Sequence, residues 1–200
     1  MIVKITTTDG LLGTASANPE LYEEFIGGKC SDKEKVKDEL ESLDTEALVE
    51  KTMTVFHRGK DGNPILYDYQ IKGFIKEAIG VMVEFGAIKI GKASLSKWTY
   101  KRVVDNFIFV TPREIPLRIP DGGSVTTCTR PLRATTMRGE RIALAHSEEV
   151  PGGTSLECAI NVTEPQLMDI VKRALDYGEH KGLGQWRNSG KGRFIWEEVA

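Results

Sequence analysis

The chain has 200 residues, 40% of them hydrophobic and 28% charged, a composition typical of a protein that buries a core of its own. Its formal charge of −2 excludes a surface coated in positive charge, although a local basic patch remains possible. The three cysteines are scattered without a CxxC pair, which argues against a disulfide framework or a metal site, and no apolar run approaches the roughly 18 residues of a membrane span. We therefore expect one cytoplasmic domain over residues 1–200, with no cofactor and no membrane contact.

The first part of the chain contains a strand and then a charged helical segment. Residues 1–8 alternate and are rich in β-branched side chains, which predicts a strand. Asn18 and Pro19 are typical N-cap and first-turn residues, so a helix is expected to begin there. Apolar residues at three- and four-residue spacing within 30–51 predict an amphipathic helical insertion at about 28–52.

A long helix is predicted in the middle of the chain. It follows a strand at 53–59 and a turn at 60–64, and it covers about 65–85. Lys72 and Lys76 lie together on one face of it, one turn apart. Its buried stripe is expected to contain Ile71, Phe74, Ile75, Ala78 and Ile79.

The second half of the chain is rich in strands. Residues 85–105 are ambiguous between helix and loop. The elements predicted after them are a strand at 106–117, one or two hairpins at 121–150, a strand at 155–162, a helix at 164–182 and a closing strand at 193–199.

A glycine-rich loop between the last helix and the last strand is the strongest functional signal. Glycine allows positive φ and close approach of another backbone, whether the chain's own or a phosphodiester chain. Four cations with no acid among them and one aromatic ring suit phosphates and bases. Because the loop follows a helix and precedes a strand, it is not a dinucleotide or P-loop site. The loop's candidate residues are Lys181, Gly182, Gly184, Trp186, Arg187, Gly190, Lys191, Gly192 and Arg193.

The glycine-rich loop has the form G-h-G-x5-G-x-G-x-h, where h is hydrophobic. Three stretches precede it, in this order: VKITTTDGLLGTA, PILYDYQIKGFIKEAI and SEEVPGGTSLECAINV. Together they resemble the RAMP superfamily, the repeat-associated proteins of CRISPR systems. The three are similar to that family's first strand with its hhhG turn, its hPGSSLKGhhR helix start and its E-h-h-P-h-G-t-x-F strand entry.

The resemblance implies an α+β fold with an RRM-like (ferredoxin-like) core, an antiparallel sheet and a protruding β-hairpin, or thumb. It implies that the chain holds single-stranded guide RNA by its backbone, beside other RAMP-type subunits or copies of itself. Lys72 matches the lysine of the family's helix start, whereas Lys76 is included on spacing alone. The candidate thumb is 125–150, where Met137 stands among the arginines Arg130, Arg133, Arg138 and Arg141.

Two catalytic precedents exist among RAMP-like proteins. One is an aspartate in the loop after the first glycine turn, but this loop offers only glutamates, Glu20, Glu23 and Glu24. The other is a metal-independent guide-processing ribonuclease that uses a histidine, for which His57 is the candidate. We therefore favour a non-catalytic RNA-binding subunit. Two alternatives stay open: a guide-processing endoribonuclease, and a stand-alone RAMP-like protein, for instance phage-encoded, that acts through protein contacts with an effector complex.

Overall fold

The computed structural model of the chain describes residues 1–17, 53–86, 89–90, 93–136 and 139–199, with backbone only at 89–90, 93–94, 132–136 and 139–143. The helix expected from Asn18 and the insertion expected at 28–52 lie outside the described residues.

The first half forms six short strands and one long helix. In chain order these are β1 (Ile2–Thr7), β2 (Leu11–Leu12), β3 (Ala15–Ser16), β4 (Thr54–Val55), β5 (His57–Arg58), β6 (Pro64–Tyr67) and α1 (Asp68–Glu84). The predicted buried stripe of α1 is confirmed. The predicted start of that helix is wrong by three residues, because Leu66 pairs with Ile115 in a ladder and β6 holds the chain extended up to Tyr67.

The second half alternates hairpins and helices. Its elements are β7 (Lys89–Ile90), β8 (Ala93–Ser94), α2 (Tyr100–Phe107), β9 (Ile108–Thr111), β10 (Glu114–Pro116), β11 (Thr126–Thr136), β12 (Gly139–Val150), β13 (Ser155–Val162), α3 (Met168–Asp176), α4 (Gly178–Lys181) and β14 (Phe194–Val199). Short 3₁₀ turns occupy Pro165–Leu167 and Arg187–Ser189. The strand predicted at 106–117 divides into β9 and β10, which join different sheets.

A four-stranded antiparallel sheet forms the centre of the fold, in the order β14-β1-β13-β9. Alternation along β1 and β13 buries one face, where Val3 and Ile5 lie beside the buried Leu156. Helices α1 and α3 cover that face, and Phe74 of α1 meets Phe194 of β14 edge to face at 5.1 Å between ring centroids. The fold is therefore α+β.

A second sheet contains the long hairpin of β11 and β12. The two strands pair without interruption from Thr126 opposite Glu149 to Thr136 opposite Gly139. At its base β12 also pairs with β2 and β4, which connects the hairpin to the turn after β1. This arrangement brings the hairpin base, the turn after β1, the start of α1 and the glycine-rich loop to one side of the molecule.

Candidate functional site

The start of α1 is fixed by a glutamine of the predicted helix-start motif. Gln70 Oε1 accepts a hydrogen bond from the Tyr67 backbone N–H at 2.8 Å, which satisfies a donor that the first turn would leave free. Its Nε2 donates to Thr14 Oγ1 at 2.7 Å. The helix start is therefore attached to the loop between β2 and β3, and both border the same cleft.

Three glycines of the glycine-rich loop are required by the chain's own backbone. A Cβ at Gly192 would lie 2.0 Å from the Leu183 carbonyl oxygen, and one at Gly184 would lie 2.8 Å from the Leu12 carbonyl oxygen. Gly182 has a similar contact, 2.6 Å from the Lys191 carbonyl oxygen. The sequence left open whether these glycines allow close approach of the chain's own backbone or of a phosphodiester chain. At all three positions the chain's own backbone is the one that lies close.

A cleft of about 300 Å³ lies between the first turns of α1 and the glycine-rich loop. Gly73 lines it, and a Cβ built there would meet no atom within 4 Å. Glycine inside a helix costs stability relative to alanine, by about 0.5–1 kcal/mol. Packing within the described residues gives no reason for this glycine, so the bare helix surface is available to a ligand.

Glu77, one turn after Gly73, binds two of the predicted cations. Its carboxylate accepts a hydrogen bond from Arg187 Nη1 at 2.6 Å and forms an ion pair with Lys181 Nζ at 3.1 Å. Burial would raise the pKa of the Glu77 carboxyl, but hydrogen bonds from Arg187 and Lys181 outweigh it and hold that pKa below its usual value. Glu77 and Arg187 therefore face each other in the lining of this cleft, and Lys181 pairs with the same carboxylate from beside it.

A second cleft of about 410 Å³ shares Gly184 and Arg187 with the first. The guanidinium of Arg130, on β11, borders it and lies 5.5 Å from the centroid of the Trp186 ring. Arg130 also donates to Gln185 Oε1 at 2.7 Å and to Ser147 Oγ at 3.2 Å. The hairpin base and the glycine-rich loop therefore meet at this arginine.

Lys72 and Lys76 lie away from both clefts. Lys72 Nζ donates to the Asp105 carbonyl oxygen at 3.0 Å and stands 4.9 Å from the Phe109 ring centroid, while Lys76 pairs with the Asp105 carboxylate. Burial lowers the pKa of Lys72, partly opposed by Asp105. The Lys72 side chain therefore extends toward α2 and β9, and its contact with RNA stays a prediction.

The remaining predicted cations have different surroundings. Lys191 pairs with Glu149 at 2.5 Å, and the resulting hydrogen bond raises its pKa. Arg193 is exposed, and within the described part of the chain no ion pair is formed by it. Gly190 has positive φ like the other three glycines of the loop, but a Cβ there would meet nothing closer than the Arg193 side chain at 3.6 Å.

Among the hairpin arginines, only Arg130 has a described side chain. In the ladder Arg133 stands opposite Ile142, and Arg141 stands opposite Ala134. Arg138 and Met137 lie outside the described residues, as do the glutamates at 20, 23 and 24.

His57 lies in an aromatic cluster beside the first cleft. Only 3% of its surface is exposed, and its ring meets the Tyr67 ring at 4.8 Å between centroids. Tyr69 stacks on Tyr67, with 5.6 Å between the ring centroids, and 41% of its surface remains exposed at the cleft. The structure places His57 next to the first cleft but in a packed, structural environment.

Sequence reasoning missed Glu77 and Gln185. Glu77 falls seven residues after Gln70 and four after Gly73, so helical spacing alone puts it on the face that carries the helix-start motif. Gln185 offers no such signal, because its role depends on the distant hairpin base.

The sequence matches no established protein-family profile and no curated protein. Comparison of folds gives a different result. A chain of the cryo-EM structure of the Type III-B Cmr-beta bound to cognate target RNA superposes with a TM-score of 0.55 at 13% sequence identity. This chain therefore shares its fold with a chain of that complex. The match covers 100% of this chain but 59% of that one, so this chain spans less than two thirds of the protein it resembles.

Two further structures give weaker matches. Cmr6 from Pyrococcus furiosus has a TM-score of 0.49 at 12% identity, covering 100% of this chain and 97% of that one. A chain of a Type IV-B CRISPR complex has a TM-score of 0.48 at 11% identity, covering 100% and 90%. At these scores the matches carry no argument of their own.

In the described residues, no helix combines the length and apolarity needed to cross a bilayer, and no acidic, histidine and cysteine side chains cluster as a metal site.

Proposed function

We propose that this chain is a non-catalytic subunit that binds single-stranded, guide-type RNA in a CRISPR-like ribonucleoprotein. The observation that carries the proposal is the pair of adjoining clefts along the glycine-rich loop, where cations, a bare helix surface and an exposed aromatic ring lie together. The similarity in fold to a Type III-B CRISPR protein supports it.

The proposed core is RRM-like. Its four strands would be β1, β9, β13 and β14, with α1 between the first two and α3 between the last two. The observed strand order places β1 and β13 in the centre, as a split βαβ arrangement requires. On this interpretation the hairpin of β11 and β12 is an insertion between the second and third core strands.

The RNA strand is expected at the clefts and not on the open face of the sheet. RRM domains place stacking aromatics on the sheet surface. Here that surface carries Ile2 and two ion pairs, Lys4 with Glu197 at 3.0 Å and Arg118 with Glu157 at 2.8 Å. Its cations already have carboxylate partners, which makes it a poor phosphate track.

The clefts offer the groups that a single strand needs. Lys181 and Arg187 supply positive charge for phosphates, and Gly73 lets a backbone come close to the helix. Trp186, 39% exposed, offers a stacking surface. The proposal extends to the other cations, which would contact the strand beyond the clefts: Lys72, Lys76, Arg133, Arg138, Arg141, Lys191 and Arg193.

The open sheet face is the proposed contact with other RAMP-type subunits or with copies of this chain. Four large apolar side chains there are at least partly exposed, which a protein partner would cover. They are Ile2 at 49%, Phe109 at 43%, Ile195 at 49% and Val199 at 37%.

The test is to purify the protein at low salt from the cytoplasm of an expressing cell and to size any nucleic acid that stays bound. RNA of defined length that resists nuclease supports a guide-bound subunit. Intact RNA after long incubation without metal separates this function from guide processing, and a cleavage product lost in His57→Ala would favour the ribonuclease instead. Clean protein that fails to bind added single-stranded RNA would refute the proposal and favour action through protein contacts.

A further inference from the structure

Arg130 is a buried cation that lacks a carboxylate partner among the described residues. Only 7% of its surface is exposed, and its described partners are the neutral Ser147 and Gln185 and the ring of Trp186. By contrast, the nearby Arg58 pairs with the carboxylate of Glu148. Within the described residues, no carboxylate pairs with Arg130.

A buried charge without a counter-ion is unfavourable, and proteins normally supply one. Arg130 carries five N–H donors, of which the two hydrogen bonds use two. Its guanidinium borders the 410 Å³ cleft, so an anion entering that cleft can reach the remaining donors. Lys181 and Arg187 line the same cleft and add positive charge.

Trp186 is held in an unusual conformation beside this cation. Its φ of 54° and ψ of 35° lie in the left-handed region, and it is the one non-glycine residue with positive φ among those described. Such a conformation persists where surrounding contacts impose it, and it is found often at binding sites. The Ser189 backbone N–H donates to the Trp186 carbonyl oxygen at 3.0 Å, and Arg130 packs on the ring. The ring is thereby presented to the cleft in a fixed position.

We propose that the cleft between Arg130 and Trp186 is a subsite for one nucleotide, with the phosphate on Arg130 and the base stacked on the open surface of Trp186. The cleft volume falls within the range of about 300–1,000 Å³ that holds small ligands. Arginine binds phosphate with several donors at once, and a base stacks on tryptophan regardless of its identity. This inference rests on the proposed function, since it assigns one position along the RNA strand, but the same chemistry would also hold a free nucleotide.

The experiment uses the whole chain and three probes: a uridine dodecamer, uridine 5′-monophosphate and uridine. Wild-type protein is expected to bind the dodecamer, and the monophosphate is expected to raise the unfolding temperature more than uridine does. Arg130→Gln is expected to lose about tenfold in dodecamer affinity and most of the monophosphate effect.

Because Arg130 is buried, Arg130→Gln could fail to fold, so Trp186→Gly serves as the second variant. Glycine accepts the left-handed conformation, and this variant therefore removes the ring while relieving strain. Relief of the strain partly offsets the packing lost with the ring, so the variant is expected to fold, and it should lose about tenfold in dodecamer affinity. Trp98→Ala is the matched control, since Trp98 is 89% exposed and outside both clefts.

The outcomes separate the two proposals. If the dodecamer binds with equal affinity to wild type and Trp186→Gly, and the monophosphate has no effect, the subsite is refuted while RNA binding stands. If the monophosphate binds and the dodecamer does not, the subsite stands as a free-nucleotide site and the proposed function fails. If neither binds, both are wrong.

Discussion

Arg187 Nη1 donates to Glu77 Oε2 at 2.6 Å, which joins the glycine-rich loop to the middle of α1. The same carboxylate pairs with Lys181 at the end of α4. Two of the cations best placed to bind RNA phosphates are therefore held by an acid in the cleft itself. An entering phosphate must compete with that carboxylate, so Glu77 limits the affinity of the free protein.

Removing the charge of Glu77 should strengthen RNA binding. Glu77→Gln frees Lys181 and Arg187 while keeping the shape of the side chain. These ion pairs are half-buried, and even an exposed pair contributes about 0.2–1 kcal/mol. We expect about a two- to tenfold gain in affinity for single-stranded RNA, with a steeper dependence on salt. Fluorescence anisotropy at several salt concentrations measures both.

Glu84→Gln is the control for that variant, because Glu84 lies on the same helix and its ion pair among the described residues is with Lys97 at 3.7 Å. It should leave RNA affinity unchanged. Equal or weaker RNA binding by Glu77→Gln would mean that Lys181 and Arg187 do not contact the strand.

The stability that Glu77 gains from its ion pairs with Lys181 and Arg187 should also depend on pH. Because the pKa of Glu77 is lowered in the folded protein, its charge stabilises the fold above the unfolded pKa, near 4.5, and that contribution is lost as pH falls through the folded value. Wild type should therefore be more stable than Glu77→Gln at neutral pH, and the difference should disappear in acid. Chemical denaturation from pH 7 down to pH 3 measures this, and a constant difference would contradict the ion pairs.

Replacing Gly73 by alanine should raise the stability of the protein and lower its affinity for RNA. Since a Cβ there meets no atom within 4 Å, Gly73→Ala should stabilise the protein by about 0.5–1 kcal/mol. The added methyl group enters the cleft, so RNA affinity should fall. Gly80→Ala is the comparison within the same helix, because its Cβ would lie 2.8 Å from Tyr100 Oη and should bring no such gain. Unchanged RNA affinity in Gly73→Ala would place the strand elsewhere.

Two glycines of the loop should respond differently to the same change. Gly190 and Gly192 both have positive φ, 90° and 72°. Only at Gly192 does a Cβ collide with backbone, 2.0 Å from the Leu183 carbonyl oxygen. Gly190→Ala should cost about 1–2 kcal/mol from conformation alone, whereas Gly192→Ala should exceed about 4 kcal/mol or prevent folding. Urea denaturation of the two variants distinguishes them, and similar losses would contradict the close backbone approach.

Much of the secondary structure follows from local patterns. The strand expected at 155–162 matches β13 residue for residue, because alternation along it coincides with burial of one face. The start of α1 was misplaced, since Leu66 is held in a strand by its pairing with Ile115 far along the chain. The local spacing of apolar residues does not reveal a pairing between residues so far apart in the sequence.

The site was predictable in its parts but not in its arrangement. The glycine-rich loop stood out by composition, and the clefts do lie against it. That Lys72 extends toward Asp105, whereas Arg130 reaches Gln185, depends on tertiary contacts between distant segments. Charge type alone therefore could not separate cleft cations from those elsewhere.

Binding of a labelled single-stranded RNA across a series of salt concentrations tests the central claim most directly. The account predicts that wild type binds the RNA. The logarithm of its association constant should fall linearly with the logarithm of the salt concentration, with a slope of about −0.7 for each phosphate contacted. Arg187→Gln should weaken binding and flatten that slope, while Lys4→Gln, on the open sheet face, should change neither. No binding by wild type at low salt, or equal slopes for Arg187→Gln and wild type, would contradict an RNA site at the glycine-rich loop.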